Sequence, residues 1–229
     1  GIDITKKIVS VNLSLNKMSD FKTLLEDKLE DFKNRKEILE DLENLLKVSI
    51  NDRFKTLENM VEAVAQDVDK EINYEVKGDS FYLENEKSSI LMDAAVHLIR
   101  NSLDHGIENK EERLKEGKNS IGNIKVSFTK SDNNMIIRIT DDGKGLDPSM
   151  ISKKAIEKGV ITEEDCRPLS PKEKIMFIFH PGFSTNDNAS ELSGRGVGMD
   201  VAKTNIEKLN GTIDVQSTVG KGTDFIIKF

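Results

Sequence analysis

Tryptophan is absent from this chain, cysteine occurs once, at Cys166, and aromatic residues fill only 5% of its 229 positions. A lone cysteine excludes an internal disulfide framework and suits a reducing compartment. No histidine lies near Cys166 in sequence, so it reads as a small residue in a loop and not as a nucleophile. Long apolar runs are missing too. None approaches the roughly 20 residues that cross a bilayer, and the charged, periodic N-terminus is unlike a signal peptide. The expectation is a cytoplasmic domain without membrane contact. Positive charge is outweighed, with a net charge of −7, which argues against a broad nucleic-acid surface. Charged residues still make up 33% of the chain, with the two signs interleaved as on a solvated face. The opening Gly1, without Met, reads as the start of a fragment or a processed chain.

Glycine and proline are missing from residues 2–77, so nothing breaks a helix there. Ile4, Val11, Met18, Leu25, Phe32, Leu39 and Leu46 recur at every seventh position. Ile8, Leu15 and Leu29 supply a partner stripe, interrupted by Lys22, Lys36 and Glu43. A lone helix with this stripe leaves apolar surface in water, so residues 1–50 are expected to form a helical dimerisation element and the protein a homodimer. Two geometries fit. An unbroken seven-residue phase favours one helix in a parallel coiled coil, while the polar stretches 16–20 and 31–36 could hold the turn of a helical hairpin. Ser49, with Asp52 three residues on, resembles a capping signal for a new helix. Phe54, Leu57, Val61, Val64 and Val68 would share one face of it. The linker then falls near residues 47–52, and residues 51–229 form the globular domain.

That domain reads as α+β. Strands are expected at 72–77, 123–130, 135–141, 212–217 and 223–229, and helices at about 88–104, 148–158, 171–179 and 197–209. Residues 105–122 read as a charged helix end or loop, and 180–196, rich in Gly, Ser and Asn, as a mobile loop. Most neighbouring strands are joined by tight turns. The expected architecture is a two-layer α/β sandwich, a mixed and largely antiparallel sheet with helices on one face.

Three short blocks carry chemistry. On the helix at 88–104, His97 and Asn101 are four apart and share a face. The Asn101 amide oxygen suits a Mg²⁺ that already holds phosphates and water. His97, one turn away, could accept a proton from the group attacking a terminal phosphate, or position that group. His105 extends the line if the last turn persists. Asp141 ends a strand just before Gly143 and Gly145, where a carboxylate can accept a hydrogen bond from adenine's exocyclic amine and bare backbone can approach the base. Gly194, Gly196 and Gly198 alternate before a helix, so free N–H groups and a helix N-terminus make an anion site. No strand precedes them and no Gly-Lys-Ser/Thr comes after, which excludes the dinucleotide fingerprint and the Walker loop. Thr223, on the last strand, could close the base pocket through its hydroxyl or be an ordinary strand residue.

The order of these blocks resembles the ATP-binding superfamily shared by gyrase and sensor histidine kinases, and within it the CheA-like chemotaxis kinases. The residues that carry the resemblance are His97 through Glu108, Phe179-His180-Pro181-Gly182-Phe183-Ser184-Thr185, and Ser193 through Asp200. It covers the chain from about Phe54 to its end, and a histidine at position 97 is itself CheA-like. The resemblance implies ATP·Mg²⁺ binding, with Asn101 as metal ligand and His97 as catalytic helper. It places Arg100, Asp104 and His105 near the phosphates and Asp141 on adenine. Residues 183–198, among them Ser184, Gly194, Arg195, Gly196, Val197 and Gly198, would form a lid over the nucleotide. It implies γ-phosphate transfer to a histidine of a separate domain, in cis or in trans, and onward to an aspartate of a response regulator. All three histidines, His97, His105 and His180, lie in the ATP-binding blocks, so the phosphoacceptor is elsewhere. The family's regulatory domain is also absent from this stretch. A serine kinase of the same superfamily, or an ATP-binding signalling module without phosphotransfer, would share the pocket.

Overall fold

Alternation of apolar residues along four strands dictates which face of the sheet turns inward. In the computed structural model, which describes Thr23 and residues 47–131, 134–183 and 198–229, the chain divides into two compact units, Gly1–Val48 and Ser49–Phe229. The expected heptad helix falls almost wholly outside the described residues, as do Ser184, Gly194, Arg195, Gly196 and Val197. Around the unit boundary lies a three-residue strand, β1 (Lys47–Ser49). In the second unit a five-stranded sheet is built from β2 (Ile72–Gly78), β4 (Gly122–Ser131), β5 (Asn134–Asp141), β6 (Thr212–Thr218) and β7 (Gly222–Lys228), with β3 (Tyr82–Glu84) outside it. Its order is β2-β4-β5-β7-β6. Only β2 and β4 run parallel; the other neighbours are antiparallel hairpin or cross-sheet pairs. This is the mixed, mostly antiparallel sheet expected from the sequence.

The inward face carries Ile124, Val126 and Phe128 of β4, Met135, Ile137 and Ile139 of β5, Ile213 and Val215 of β6, and Phe225 and Ile227 of β7. The opposite face bears polar pairs, such as Arg138 with Asp224 and Thr140 donating to Asp224 at 2.8 Å. A strand period of two continues past the apolar residues. Asp141 on β5 and Thr223 on β7 therefore lie on the core face, at the end of the sheet, directly paired across the strands and both buried.

Helices cover this face. Ser49 caps α1 (Ile50–Lys55), its hydroxyl accepting from the Asp52 amide at 3.3 Å. The single helix expected after Ser49 is in fact two. Thr56 and Leu57 hold ψ at −13° and −11°, Thr56 turns its hydroxyl onto the Arg53 carbonyl at 2.7 Å, and α2 (Glu58–Asp67) starts afresh. Phe54, Val61 and Val64 are buried, while Leu57 and Val68 are not fully so.

The central helix α3 (Asn85–Asn101) buries Ser88, Leu91, Ala94, Ala95, Leu98 and Ile99. These positions recur at helical spacing, and α8 (Met199–Lys208), which buries Ala202 and Ile206, packs against this helix. Full burial of each of Leu91, Leu98 and Ile99 contributes about 1.5–3 kcal/mol over leaving it exposed. The helix does not run evenly to 104 as the periodicity suggests: Ser102–Gly106 widens into a π-turn, closed by the Ile107 amide on the Ser102 carbonyl at 2.8 Å.

The remaining elements are α5 (Pro148–Glu157), α6 (Glu163–Cys166), α7 (Pro171–Ile175) and a 3₁₀ turn, Met176–Phe179, where the sequence suggests a single helix over 171–179. Cys166 is buried at the end of α6 and not in a loop. Residues 105–122, expected as a loop or charged helix end, contain a real helix, α4 (Lys110–Lys115). It is set by a capping box in which Asn109 Oδ1 accepts from the Glu112 amide at 2.9 Å. Among the described residues no helix is long and apolar enough to cross a membrane.

Candidate nucleotide site

The end of β5 and the π-turn after α3 meet at one carboxylate. Asp141 is 3% exposed. Its Oδ1 accepts from the Gly143 amide at 3.0 Å and the Thr223 amide at 3.2 Å, and its Oδ2 accepts from the Ser102 hydroxyl at 2.7 Å. Burial pushes the Asp141 carboxyl above the ordinary aspartate range, and these three donors pull it partly back. An ionised carboxylate offers about four acceptor positions, so three donors leave one open.

Asp142, the next residue, is held differently. Its side chain accepts from the Asn123 amide at 2.9 Å, from Asn123 Nδ2 at 2.8 Å and from Arg113 Nη2 at 2.9 Å. Burial raises its pKa, but these donors outweigh it and hold the carboxyl below its usual range. Adjacent carboxylates in one turn thus have opposite characters, one desolvated and one firmly ionised.

Gly143 has no room for a side chain. A Cβ there would lie 2.2 Å from the Gly106 carbonyl oxygen. At Gly145 a Cβ would lie 2.4 Å from the Thr218 carbonyl, and φ is +72°. In both cases the bare Cα admits protein backbone, which locks the Asp-Asp-Gly-Lys-Gly loop between the π-turn and the β6–β7 hairpin. The Lys144 amide completes the clasp on the Gly106 carbonyl at 2.9 Å. Gly143→Ala is expected to cost about 2–3 kcal/mol, lowering the melting temperature by about 5–10 °C in differential scanning calorimetry.

His97 and Asn101 share a face of α3 and are both half-buried. Burial lowers the His97 pKa; Asp93 and Asp200 work against this shift and Arg100 adds to it. Asp200 stands in the first turn of α8, two residues after Gly198, the helix's N-cap. The Asn101 amide has no hydrogen-bond partner among the described residues and is open to a ligand. Among the described residues no three His, Cys, Asp or Glu side chains gather as a metal site. The neutral amide oxygen of Asn101 suits a divalent cation that is already carried by phosphate oxygens.

His105, on the π-turn, is half-buried, and burial lowers its pKa, opposed by Asp104 and reinforced by Lys144 and Lys70. Lys70 reaches the same turn, donating to the Leu103 carbonyl and, at 3.3 Å, to the Asp104 carbonyl. Arg100 and Asp104 are exposed. Thr223 contributes its amide to Asp141, while its hydroxyl lies 3.2 Å from Ser217 Oγ.

Sequence reasoning passes over Ser102, Asp200, Lys70 and the group Glu108, Arg113, Lys118. Ser102 stands in the same block as Asn101, but one residue around the helix, on the face turned to the sheet. The signal for the charged group is local: Asn109-x-x-Glu112 is a legible capping box, and the helix it starts carries Arg113.

With this geometry in hand, comparison with known proteins gives a consistent class. Residues 88–229 match the model of the family described as histidine kinase-, DNA gyrase B- and HSP90-like ATPase, and the chain belongs to that family. Within it, the domain is CheA-like. It is 48% identical over 170 residues to the sensor histidine kinase CheAY of Helicobacter pylori, an overlap of 74% of this chain and 21% of that protein. It is 43% identical over 195 residues to the chemotaxis protein CheA of Borreliella burgdorferi, covering 83% of this chain and 22% of the relative. The chain thus spans little more than a fifth of the length of either relative. Among solved structures, the mycobacterial sensor histidine kinase MprB aligns with a TM-score of 0.48 at 17% identity, over 80% of this chain and 95% of that one.

Proposed function

We propose that this chain is the catalytic core of a CheA-like histidine kinase that binds ATP·Mg²⁺ and passes the γ-phosphate to a histidine on a separate domain or protein. The observation that carries this reading is the Asp141 carboxylate, buried at the sheet's end with three donors and one acceptor position left open. An exocyclic amine is the group that fits such a position, and adenine presents one. Asn101 would hold the Mg²⁺, which supplies charge neutralisation at the phosphates when bound. Lys144 and Arg100 would add positive charge near the phosphates, and His105, its pKa lowered by burial, would add a neutral imidazole. Asp104, whose charge opposes the shift at His105, would lie near the phosphates as well. Gly198 and the N-terminus of the ten-residue α8 offer N–H groups to phosphate oxygens, and Ser184, Gly194, Arg195, Gly196 and Val197 would be the lid that the resemblance implies.

Catalysis in this reading is positioning plus electrostatics. His97, kept neutral by burial, stands ready to accept a proton or to orient the attacking imidazole. Residues 1–50, with their heptad stripe, would join two copies, and the phosphoryl group would pass to a response regulator in the cytoplasm. Incubating the chain with γ-labelled ATP and a helical histidine domain is expected to label that domain with an acid-labile, base-stable phosphate. Acid-stable label would point to a serine kinase, and ATP binding without any label to a module that only senses nucleotide.

A further inference from the structure

The peptide unit joining Asp142 to Gly143 is gripped from both sides. Its N–H, on Gly143, donates to Asp141 Oδ1 at 3.0 Å. Its carbonyl, on Asp142, accepts from Arg113 Nη1 at 3.3 Å and from Lys118 Nζ at 3.2 Å. Lys118 Nζ also donates to the next carbonyl, of Gly143, at 2.9 Å. Both cations are drawn inward. The Arg113 side chain is 2% exposed and that of Lys118 15%, and Glu108, 4% exposed, pairs with both. Arg113 is further fixed by the Asn119 and Ile121 carbonyls and by Asp142 Oδ2.

A buried ion cluster is poor evidence for stability, since apolar residues of similar volume often serve as well. Its aim is more telling. Two positive charges fall on one carbonyl, and the N–H of that same peptide falls on the base-reading carboxylate. Charge on the carbonyl polarises the peptide and strengthens its N–H as a donor. We propose that Arg113 and Lys118 are positioning residues for base recognition: through the Asp142–Gly143 peptide they fix Asp141 Oδ1 and leave Oδ2 directed at the base. This rests on the reading of Asp141 as the adenine acceptor. Neither cation touches Asp141. The stretch 107–122, between the π-turn and β4, is then a brace that reaches under the recognition loop and grips its backbone.

Lys118 gives the cleaner test, because its removal leaves the Arg113 pairs with Glu108 and Asp142 standing. Calorimetric titration of the chain with ATP, steady-state phosphotransfer to a histidine domain, and the amide proton shift of Gly143 are measured together. Lys118→Met, which keeps the apolar stem, is expected to weaken ATP binding about 10-fold and raise KM for ATP by the same factor. Its kcat should stay within about 2-fold of the unaltered chain. The Gly143 amide proton should move upfield without nucleotide, and Lys118→Arg should restore most of the affinity. Should Lys118→Met fail to fold, Lys118→Gln, which can still donate to the Gly143 carbonyl, is expected to fall in between. Unchanged ATP affinity in the folded variant, or a lost kcat with an unmoved Gly143 amide, would overturn the proposal. Asp141→Asn, run alongside, separates the two levels. If it leaves binding intact, the adenine reading itself fails. If it abolishes binding while Lys118→Met does nothing, only the positioning role fails.

Discussion

Replacing Asp141 by Asn is expected to cost the domain roughly 100-fold in ATP affinity while leaving the nucleotide-free fold as stable as before, or more so. Two opposite effects meet at this side chain. An Asn oxygen at the Oδ1 position still accepts from the Gly143 and Thr223 amides, and its NH₂ can donate to Ser102 once that hydroxyl turns to accept. The apo network is therefore satisfied. The position left for an exocyclic amine, however, now presents N–H to N–H. A buried donor without an acceptor costs about 1–3 kcal/mol, more where a charge was involved, which is one to two orders of magnitude in affinity. The stability side comes from linkage. Burial raises the folded pKa of Asp141, so its ionised form at neutral pH opposes folding. The favourable contribution is present only at low pH and is lost as pH rises through the raised folded value. Asn carries no such penalty. Calorimetry should show an unchanged or higher melting temperature near pH 7 together with lost ATP binding. A lower melting temperature with intact binding would mean that Asp141 is structural.

The geometry behind that prediction is only partly legible in the sequence. The strand period is: Met135, Ile137 and Ile139 alternate inward, so Asp141 has to join them on the core face. The glycines after it mark a tight loop, though the reason at Gly143 and Gly145 is the approach of the Gly106 and Thr218 carbonyls. The order of strands, joined by short turns, implies the antiparallel majority. Ser102 is not legible, because propensity does not encode a helix widening by one residue, and the π-turn redirects the chain from there to Ile107. Nor is the group of Glu108, Arg113 and Lys118. Charges in a polar stretch look like surface, and a buried arginine leaves no periodic trace. The break at Thr56 is hidden for a related reason. No Gly or Pro marks it, and the apolar spacing runs straight across. Where tertiary packing overrides local preference, as in these three places, the residues concerned grip the Asp142–Gly143 backbone, end the central helix or cap α1.

The second large effect is expected at His97, and it should fall on rate instead of affinity. His97→Gln keeps a polar, half-buried side chain of similar length on α3, beside Asn101 and facing Asp200 of α8, so ATP affinity should change by less than about 3-fold. What is lost is a neutral imidazole able to take a proton, and such a group is typically worth about 10²–10⁴ in rate. A fall in kcat of about 100-fold is expected, with KM for ATP nearly constant. The pH dependence provides the check. Burial sets the His97 pKa below the ordinary histidine value, with Arg100 adding to the shift and Asp93 and Asp200 opposing it. The imidazole is therefore neutral at pH 7, and transfer should decline only as pH falls through that depressed value. Titration of the acceptor histidine is common to both proteins, so a limb present in the unaltered chain and missing from His97→Gln belongs to His97. Equal losses of affinity and rate, or identical pH profiles, would make His97 a packing residue. The division of labour between the carboxylate at the end of β5 and the imidazole on α3 would then be wrong.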